Sequence, residues 1–426
     1  MQVELSTAQM SYTSRAKWTV VALLSGGLAM DMLARLAIYS VFPLLRKELI
    51  ASDVGLGLVA SSFPWTYGSL STLAGYLGDR FPRRTIVIAS VVSWSLATIL
   101  CGAVTADWQL VSMRVVVAIA QVCYMPTAQA YIADFHEADT RAKASGLYQA
   151  GSYVGIFLAG MPAAYIATNL GWRMMFVLCG ASGLVFGVIL WKQLPSRGGS
   201  NVGRPFGKRI SIREVGPLLR KPSFLAILGA FSLIAIVFWV LFSYLPLFIF
   251  ERYQLSLESA AFQATFYMQV SAMILMPMFG AVSDIWTVRR ERNRFLACAL
   301  VCMLGIPALI AIGTGNHAAI LVGGLILFGL VMAGTDASWL PMLCSITSTH
   351  QRAIAYGLLN TSGTLAGGFA AMATALMMKS VGLGAIITLL GALFVIMTVM
   401  LTLVAYRLLD HDRVPDLQQE VHGRLD

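Results

Sequence analysis

The sequence predicts an all-α integral membrane protein with twelve transmembrane helices, and three observations support this fold class. Hydrophobic residues make up 58% of the 426 residues, charged residues only 12%, and the mean hydropathy is +0.75. A soluble domain is nearer one quarter charged, so a water-soluble fold of this length could not bury so much apolar surface. The apolar residues also fall into windows of about 20 residues, the length that crosses a bilayer as a helix.

Twelve windows of this kind occur along the chain. They lie at about 18–45, 54–78, 85–105, 108–132, 144–168, 173–194, 223–250, 259–283, 295–314, 318–345, 353–379 and 382–406.

Lys and Arg residues are distributed unevenly between the two sides of these spans. With both termini placed in the cytoplasm, 23 of the 30 lie on the cytoplasmic side, 5 lie on the outer side, and Arg35 and Arg114 lie within spans. This bias follows the positive-inside rule. It predicts a multi-pass protein of the bacterial inner membrane, in contact with lipid, and it explains the net charge of +10 without a nucleic-acid partner.

A basic segment rich in Gly, Pro and Ser divides the spans six and six. It contains the sequence PSRGGSNVGRPFGKR. We therefore expect an amino-terminal bundle over 1–195, a cytoplasmic central loop over 196–221, and a carboxy-terminal bundle with a short tail over 222–426.

A short pattern recurs after the second and the eighth span, as GYLGDRFPRR and GAVSDIWTVRR. The spacing from Gly to Asp is four in both copies, and the copies are 205 residues apart. Two similar six-helix halves related by an axis along the membrane normal are typical of a rocking transporter. The residues concerned are Gly75, Asp79, Arg80, Arg83 and Arg84 in the first copy, and Gly280, Asp284 and Arg289 in the second.

The first copy resembles the cytoplasmic loop signature of the major facilitator superfamily, G-x-L-x-D-R-x-x-R-R. The second copy has one extra residue before its arginine pair. The resemblance implies the fold of that family, with two pseudo-symmetric six-helix bundles, alternating access and a monomeric state. It also implies that the residues of both copies form a gate rather than a binding site.

Other segments resemble one group within that family, the anion:cation symporters that carry sugar acids, phthalate and related organic anions. The stretch that starts at Arg114 is similar to helices 4 and 5 of this group, which lies near the Spinster-like carriers. GWRMMF at 171–176 and GLLNTSG at 357–363 are further similarities. The resemblance implies a small organic anion as the substrate and a proton as the coupling ion.

Asp31 and Arg35 are two charges inside the first span, and their spacing of four residues places them on one helix face. Charges in a bilayer are costly, and they indicate function by default. Our hypothesis is that Arg35 binds a substrate carboxylate with its planar donor fork, while Asp31 competes for the same guanidinium until it is protonated. The alternative is a static pair that only stabilises the helix. In the group that the chain resembles, the acid stands immediately before the arginine, where this chain has Ala34.

Three further polar residues within spans bear on coupling. The group often has a glutamate where this chain has Gln121, and glutamine does not titrate, so coupling would run through Asp31, through Asp336, or not exist. Asp336 could instead bind a cationic substrate group or serve in helix packing. Arg114 matches an arginine linked to gating or proton coupling in the family, and the alternative is that its side chain extends to the outer interface.

Uncharged side chains within spans complete the candidate site. The substrate-binding candidates, together with Arg35, are Tyr39, Tyr67, Gln121, Tyr148, Ser152 and Asn360. Tyr67 and Asn360 rest on the resemblance to sugar-acid carriers. The alternative for each of these residues is hydrogen bonding between helices.

The sequence contains no HExxH, GxSxG or phosphate-binding loop, so we expect neither an enzyme nor a cofactor or metal site. The predicted function is secondary transport of a small organic anion by alternating access, with proton coupling. Two alternatives stay open: efflux of amphipathic drugs or lipids, and an uncoupled or exchange carrier.

Overall fold

The computed structural model describes residues 14–50, 52–195, 212–348 and 351–412. Within these ranges the regular structure is helical throughout. The helices of the first half are α1 (Ser14–Ser40), α2 (Phe42–Glu48), α3 (Asp53–Arg80), α4 (Arg83–Cys101), α5 (Asp107–Gln121), α6 (Tyr124–Phe135), α7 (Ala138–Ala159), α8 (Met161–Leu170) and α9 (Trp172–Gln193). Those of the second half are α10 (Ile212–Leu219), α11 (Pro222–Tyr253), α12 (Leu257–Arg289), α13 (Arg292–Thr314), α14 (Ala318–Ile346), α15 (Arg352–Val381), α16 (Leu383–Leu389), α17 (Gly391–Leu403) and α18 (Leu409–Asp412), with a π-helical segment at Val404–Leu408.

These helices account for the predicted spans. Eleven segments of the described chain are long and apolar enough to cross a membrane. The predicted second span corresponds to α3, whose 28 residues exceed the length that a bilayer requires. The chain is thus a multi-pass integral membrane protein.

Three predicted spans are interrupted, although we expected each to be continuous. The fourth is divided between α5 and α6, the fifth between α7 and α8, and the twelfth between α16 and α17. In the fourth span the break at 122–123 lies four residues before Pro126, and in the fifth the break at Gly160 is followed by Pro162. Proline has no N–H and its ring clashes with the carbonyl four residues earlier, so the helix ends there and restarts.

The predicted first span, 18–45, also ends earlier than expected. Helix α1 ends at Ser40, and α2 begins at Phe42 with Pro43 in its first turn. A proline is well tolerated at the start of a helix and poorly in its interior. Residues 42–45 therefore belong to a separate short helix at the predicted outer face, which is the face where α1 ends and α3 begins.

Close approach of α1 and α7 holds the first half together. A Cβ placed on Gly151 would lie 2.1 Å from the carbonyl oxygen of Ser25, and one on Gly155 would lie 2.3 Å from that of Ala29. In a membrane, helices associate through packing and small residues that let backbones approach. The two glycines fix how α1, which carries the charged residues, is placed.

The helices form two bundles, as the predicted fold class requires. Helices α1–α9 belong to the first and α11–α17 to the second, and the bundles meet where α3 packs on α15, where α7 and α8 pack on α12, and where α1 packs on α11. The exact domain boundaries stay a prediction. Residues 196–211 of the expected central loop and residues 413–426 of the tail lie outside the described ranges.

An ion pair joins the two bundles at the predicted outer face. Arg46, in α2, lies 2.9 Å from Glu251 of α11 through one guanidinium nitrogen and 2.8 Å from Asp53 of α3 through the other. The ends of the two bundles are therefore in contact on this side.

A side chain at Gly155 should separate α1 from α7, because its Cβ would also lie 2.6 Å from Met32 Cβ. We expect Gly155→Ala to lower the stability of the purified protein by about 1–3 kcal/mol, seen as a lower melting temperature in detergent. Gly146→Ala is the matched control, because this position on the same helix has no atom within 4 Å of an added Cβ. Equal melting temperatures for the two variants would contradict this packing.

Candidate functional site

An ion pair between Asp31 and Arg35 occupies the middle of the first bundle. The Arg35 Nη2 atom donates to Asp31 Oδ2 over 2.8 Å within α1. The Asp31 side chain is fully buried, whereas 11% of the Arg35 side chain is exposed. The spacing of four residues predicted this contact. The second carboxylate oxygen of Asp31 is buried and has no hydrogen-bond partner among the described residues.

Gln121, the last residue of α5, bonds to both members of the pair. Its Oε1 atom accepts from Arg35 Nε over 3.4 Å, and its Nε2 atom donates to the Asp31 carbonyl oxygen over 3.1 Å. Gln121 is a neutral side chain, so it orients the guanidinium without neutralising it.

Aromatic rings of α3 cover the Arg35 guanidinium. The Arg35 Cζ atom lies 4.8 Å from the ring centroid of Tyr67 and 5.0 Å from that of Phe63. At these distances the ring quadrupole attracts a cation. The contact with Tyr67 agrees with its selection as a site residue. Phe63 was not selected, although its spacing of four residues from Tyr67 places both on one face of α3.

Arg114 is a second cation in the same region. It donates to the Arg35 carbonyl oxygen over 3.0 Å, and its Cζ atom lies 4.9 Å from the Phe63 centroid and 5.7 Å from that of Tyr39. Only 1% of the residue is exposed, so its side chain does not extend to the outer interface, and that alternative is wrong. No acidic side chain within the described ranges forms an ion pair with Arg114, and its Nε atom is buried without a partner.

The other uncharged candidates divide into buried and partly exposed residues. Tyr39 is buried and donates to the Ala60 carbonyl oxygen over 3.4 Å. Tyr148 is also buried, close enough to the Asp31 and Arg35 charges to sense them, and its hydroxyl has no partner among the described residues.

Ser152 and Asn360 form no hydrogen bond to the ion pair within the described part of the chain. Each side chain makes a local bond to its own helix: Ser152 to the Gln149 carbonyl oxygen over 2.7 Å, and Asn360 to that of Tyr356 over 3.4 Å. Both are partly exposed. Asp31, Arg35, Tyr67, Gln121 and Arg114 are thus joined by direct contacts, in which these two residues take no part.

Asp336 is an exposed acid in the middle of α14. This helix packs against α11, α12, α13 and α15 of its own bundle. The charge of Asp336 acts on the hydroxyl groups of Tyr153, from the first bundle, and of Tyr356, from α15. Asp336 therefore lies near a residue of the first bundle. Sequence reasoning missed both tyrosines; the spacing of four residues between Tyr356 and Asn360 was the available signal for one of them.

Comparison with known proteins gives the family. Residues 24–370 match the model of the Major Facilitator Superfamily, which is well over half of the chain. The chain belongs to the major facilitator superfamily. It is therefore a membrane transporter rather than an enzyme.

Two relatives of this chain have names that describe them as transporters of anions. The chain is 25% identical over 313 residues to a probable L-galactonate transporter of Escherichia coli, covering 68% of each chain. It is 24% identical over 380 residues to the probable anion transporter 4, chloroplastic, of Arabidopsis thaliana, covering 82% of this chain and 68% of the relative. These matches confirm the resemblance to the organic-anion group.

A solved structure of the superfamily has the same fold. It is a bacterial homologue of the human lysosomal transporter Spinster, in an inward-facing and occupied conformation. The TM-score is 0.80 at 20% identity, with 95% of this chain and 100% of that chain covered. This likeness confirms the superfamily fold with its two six-helix bundles.

The superfamily loop signature is described only in part. Arg83 donates to the Ala130 carbonyl oxygen over 2.9 Å and pairs with Asp134. Arg84 donates to the carbonyl oxygens of Leu194 and Trp191 at the end of α9. Both arginines therefore bind helix ends within their own bundle.

In the second copy of the signature, Asp284 pairs with Arg294 over 2.6 Å, and Gly280 has no atom within 4 Å of an added Cβ. The side chains of four signature residues lie outside the described part of the chain. They are Gly75, Asp79, Arg80 and Arg289. The gating role of the signature stays a prediction.

A double-mutant cycle tests how strongly Asp31 and Arg35 are coupled. Asp31→Asn and Arg35→Gln should each destabilise the protein by about 3 kcal/mol, because each leaves a buried partner without compensation. The double variant should lose clearly less stability than the sum of the losses in the two single variants, as measured by denaturant unfolding in detergent.

The pair of Glu48 and Arg173 is the matched control for this cycle. These side chains are 3.7 Å apart and about half exposed. Their coupling should not exceed about 1 kcal/mol. Additive effects at Asp31 and Arg35 would contradict the proposed coupling.

Proposed function

We propose that this transporter carries a small carboxylate-bearing organic anion through the interior between its two bundles, with Arg35 as the anchor. The observation that carries the proposal is the Arg35 side chain, which is 11% exposed, paired with a single acid and held by Gln121 and two rings. A planar guanidinium binds a carboxylate through two parallel hydrogen bonds. The names of the galactonate and anion transporters to which the chain is similar support an anionic substrate.

Competition for Arg35 provides the coupling. The Asp31 carboxylate occupies Nη2 of the guanidinium, so an incoming carboxylate has to displace it. A proton on Asp31 removes its negative charge and releases the guanidinium for the substrate. Proton and anion then enter together, and loss of the proton restores the internal pair and expels the anion. Because Gln121 does not titrate, Asp31 is the acid nearest to the anchor that can perform this step.

Access to the site alternates between the two sides. The ends of the bundles are joined at the predicted outer face by Arg46 and Glu251. Rocking of one bundle against the other would separate this pair while the signature loops, including Arg83, Arg84 and Asp284, close the opposite face. We place the protein in a bacterial inner membrane with both termini in the cytoplasm, following the distribution of Lys and Arg. The monomeric state follows the resemblance to the superfamily.

Loss of the anchor should abolish transport. In proteoliposomes preloaded with a mixture of unlabelled sugar acids, Arg35→Ala should reduce the uptake of a labelled sugar acid to the level of empty vesicles. Arg35→Lys should retain only a minor part, because an ammonium cannot form the bidentate bond. Arg407→Ala is the control, because this arginine is exposed at the end of the last span, and it should transport normally. Normal uptake by a well-folded Arg35→Ala protein would reject the proposal.

A pH gradient tests the coupling step. Lower pH on the side of the anion should accelerate uptake in the wild type, because protonation of Asp31 frees Arg35. Asp31→Asn should lose accumulation driven by the gradient and keep exchange of labelled for unlabelled anion, because its side chain is permanently neutral. If the wild type shows exchange but no response to the gradient, the protein is an exchange carrier. If Asp31→Asn still accumulates substrate under the gradient, Asp31 is not the coupling acid.

A further inference from the structure

The charges that lie within the spans are divided unevenly between the two bundles. Asp31 and Arg35 neutralise each other in the first bundle. Arg114 remains there as an excess positive charge, and Asp336 remains in the second bundle as a negative one. Within the described ranges neither Arg114 nor Asp336 takes part in an ion pair.

The excess positive charge next to the anchor is not screened by water. Arg114 is 1% exposed, and its contacts come from the Arg35 carbonyl oxygen and the rings of Phe63 and Tyr39. The Cζ atoms of Arg114 and Arg35 lie 4.9 and 5.0 Å from the same Phe63 centroid, so both guanidinium groups contact this ring. Because a low dielectric strengthens electrostatic interactions, this side of the interior attracts a negative group even while Asp31 is ionised.

The negative charge belongs to the second bundle. Asp336 is exposed on α14, which packs on four helices of its own bundle, and its charge acts on Tyr153 of the first bundle. The same hydroxyl donates to the sulfur of Met276 over 3.7 Å, which places Tyr153 against α12. An unpaired carboxylate at this depth is costly without a partner, and a cationic group of a solute provides one.

A second, independent observation indicates a polar ligand on the second-bundle side. Gln269 is only 5% exposed, and neither its amide nitrogen nor its amide oxygen has a partner among the described residues. On α12 it lies between Thr265, which touches Gly160 of the first bundle, and Met276, which touches Tyr153. Spacings of four and seven residues place these three side chains on one helix face, so Gln269 points toward the interior. A buried amide that lacks both hydrogen bonds is rare unless something else binds it.

We infer that the substrate is a zwitterion, whose carboxylate binds at Arg35 and whose positively charged nitrogen binds at Asp336. This inference rests on the proposed function and adds the second recognition group. A simple monocarboxylate would leave Asp336 unpaired, and a simple cation would leave Arg114 without compensation. A solute with both charges satisfies the two sides at once, and Gln269 supplies a hydrogen-bond donor and acceptor for its polar middle.

The experiment compares three matched probe series on the purified full-length protein. The probes are linear ω-amino carboxylates of two to eight carbons, the unsubstituted monocarboxylates of the same lengths, and the corresponding dicarboxylates. Binding is measured as the rise in melting temperature across a concentration series. We expect at least one ω-amino carboxylate to bind about tenfold or more tightly than the monocarboxylate of equal length, the gain expected from one charge-assisted hydrogen bond.

Variants at Asp336 assign this preference to a residue. Asp336→Asn should remove the preference, so that an ω-amino carboxylate binds no more tightly than the monocarboxylate of equal length. Asp336→Lys should shift the binding preference toward the dicarboxylates. If one of the two variants fails to fold, the other still tests whether Asp336 causes the preference. Asp107→Asn is the control, because Asp107 is the first residue of α5, at the start of the predicted fourth span, and this variant should keep the wild-type preference.

The outcomes separate the inference from the function on which it rests. If monocarboxylates or dicarboxylates bind as well as ω-amino carboxylates, the inference is overturned and the anion carrier stands. If Asp336→Asn keeps the wild-type order of probes but loses the response to a pH gradient, Asp336 binds a proton and the inference is again overturned. If none of the three series binds, both proposals fail.

Discussion

The buried ion pair of Asp31 and Arg35 is the constraint on which the arrangement of the first bundle depends. A guanidinium and a carboxylate in the interior of a membrane protein each carry a large desolvation cost, and the 2.8 Å contact offsets part of it. The remainder is met by surrounding groups. Gln121 bonds to both residues, Phe63 and Tyr67 cover the guanidinium, and the close approach of α7 at Gly151 and Gly155 fixes the helix that carries the pair.

The two bundles share a fold but differ in the charged residues that they carry within their spans. At the offset of 205 residues that relates the two signature copies, the counterpart of Asp31 is Ile236 and the counterpart of Arg35 is Val240. The proposed anchor and its proposed coupling acid therefore belong to one bundle, while Asp336, an acid within a span of the second bundle, lies on a different helix. A solute between the bundles would meet different charged residues on its two sides. Its own charges, rather than the pseudo-symmetry of the fold, would therefore set its orientation.

Much of the fold was predictable because it follows from length and spacing. Bilayer thickness sets the length of each span, and a helix places residues four apart on one face, which gave the ion pair. The breaks were not predictable from residue type. Pro64 lies within the continuous helix α3, whereas the span containing Pro126 is interrupted before that residue. Whether a transmembrane helix accommodates a proline depends on neighbouring groups that satisfy the freed carbonyl, and these are set by tertiary packing.

The same limit applies to the candidate site. Tyr67 and Gln121 could be selected as polar residues within spans, but Phe63 gives no polar signal, and its role follows only from how α3 is rotated against α1 and α5. The contacts of Arg114 could not be predicted from the sequence either. Its depth in the fourth span fitted both a buried residue and one extending to the interface, and the contact with the Arg35 carbonyl oxygen decides between them.

The contact between Arg46 and Glu251 has a consequence for the symmetry of the molecule. The two residues are 205 positions apart, the same offset that separates the signature copies. Equivalent residues of a two-fold arrangement touch only where the axis passes between them, so this pair marks the point at which the axis leaves the membrane. In a perfect duplicate, two like charges would meet there and repel. The two halves must therefore carry opposite charges at this position for the ion pair to form. Two identical copies of either half could not form it.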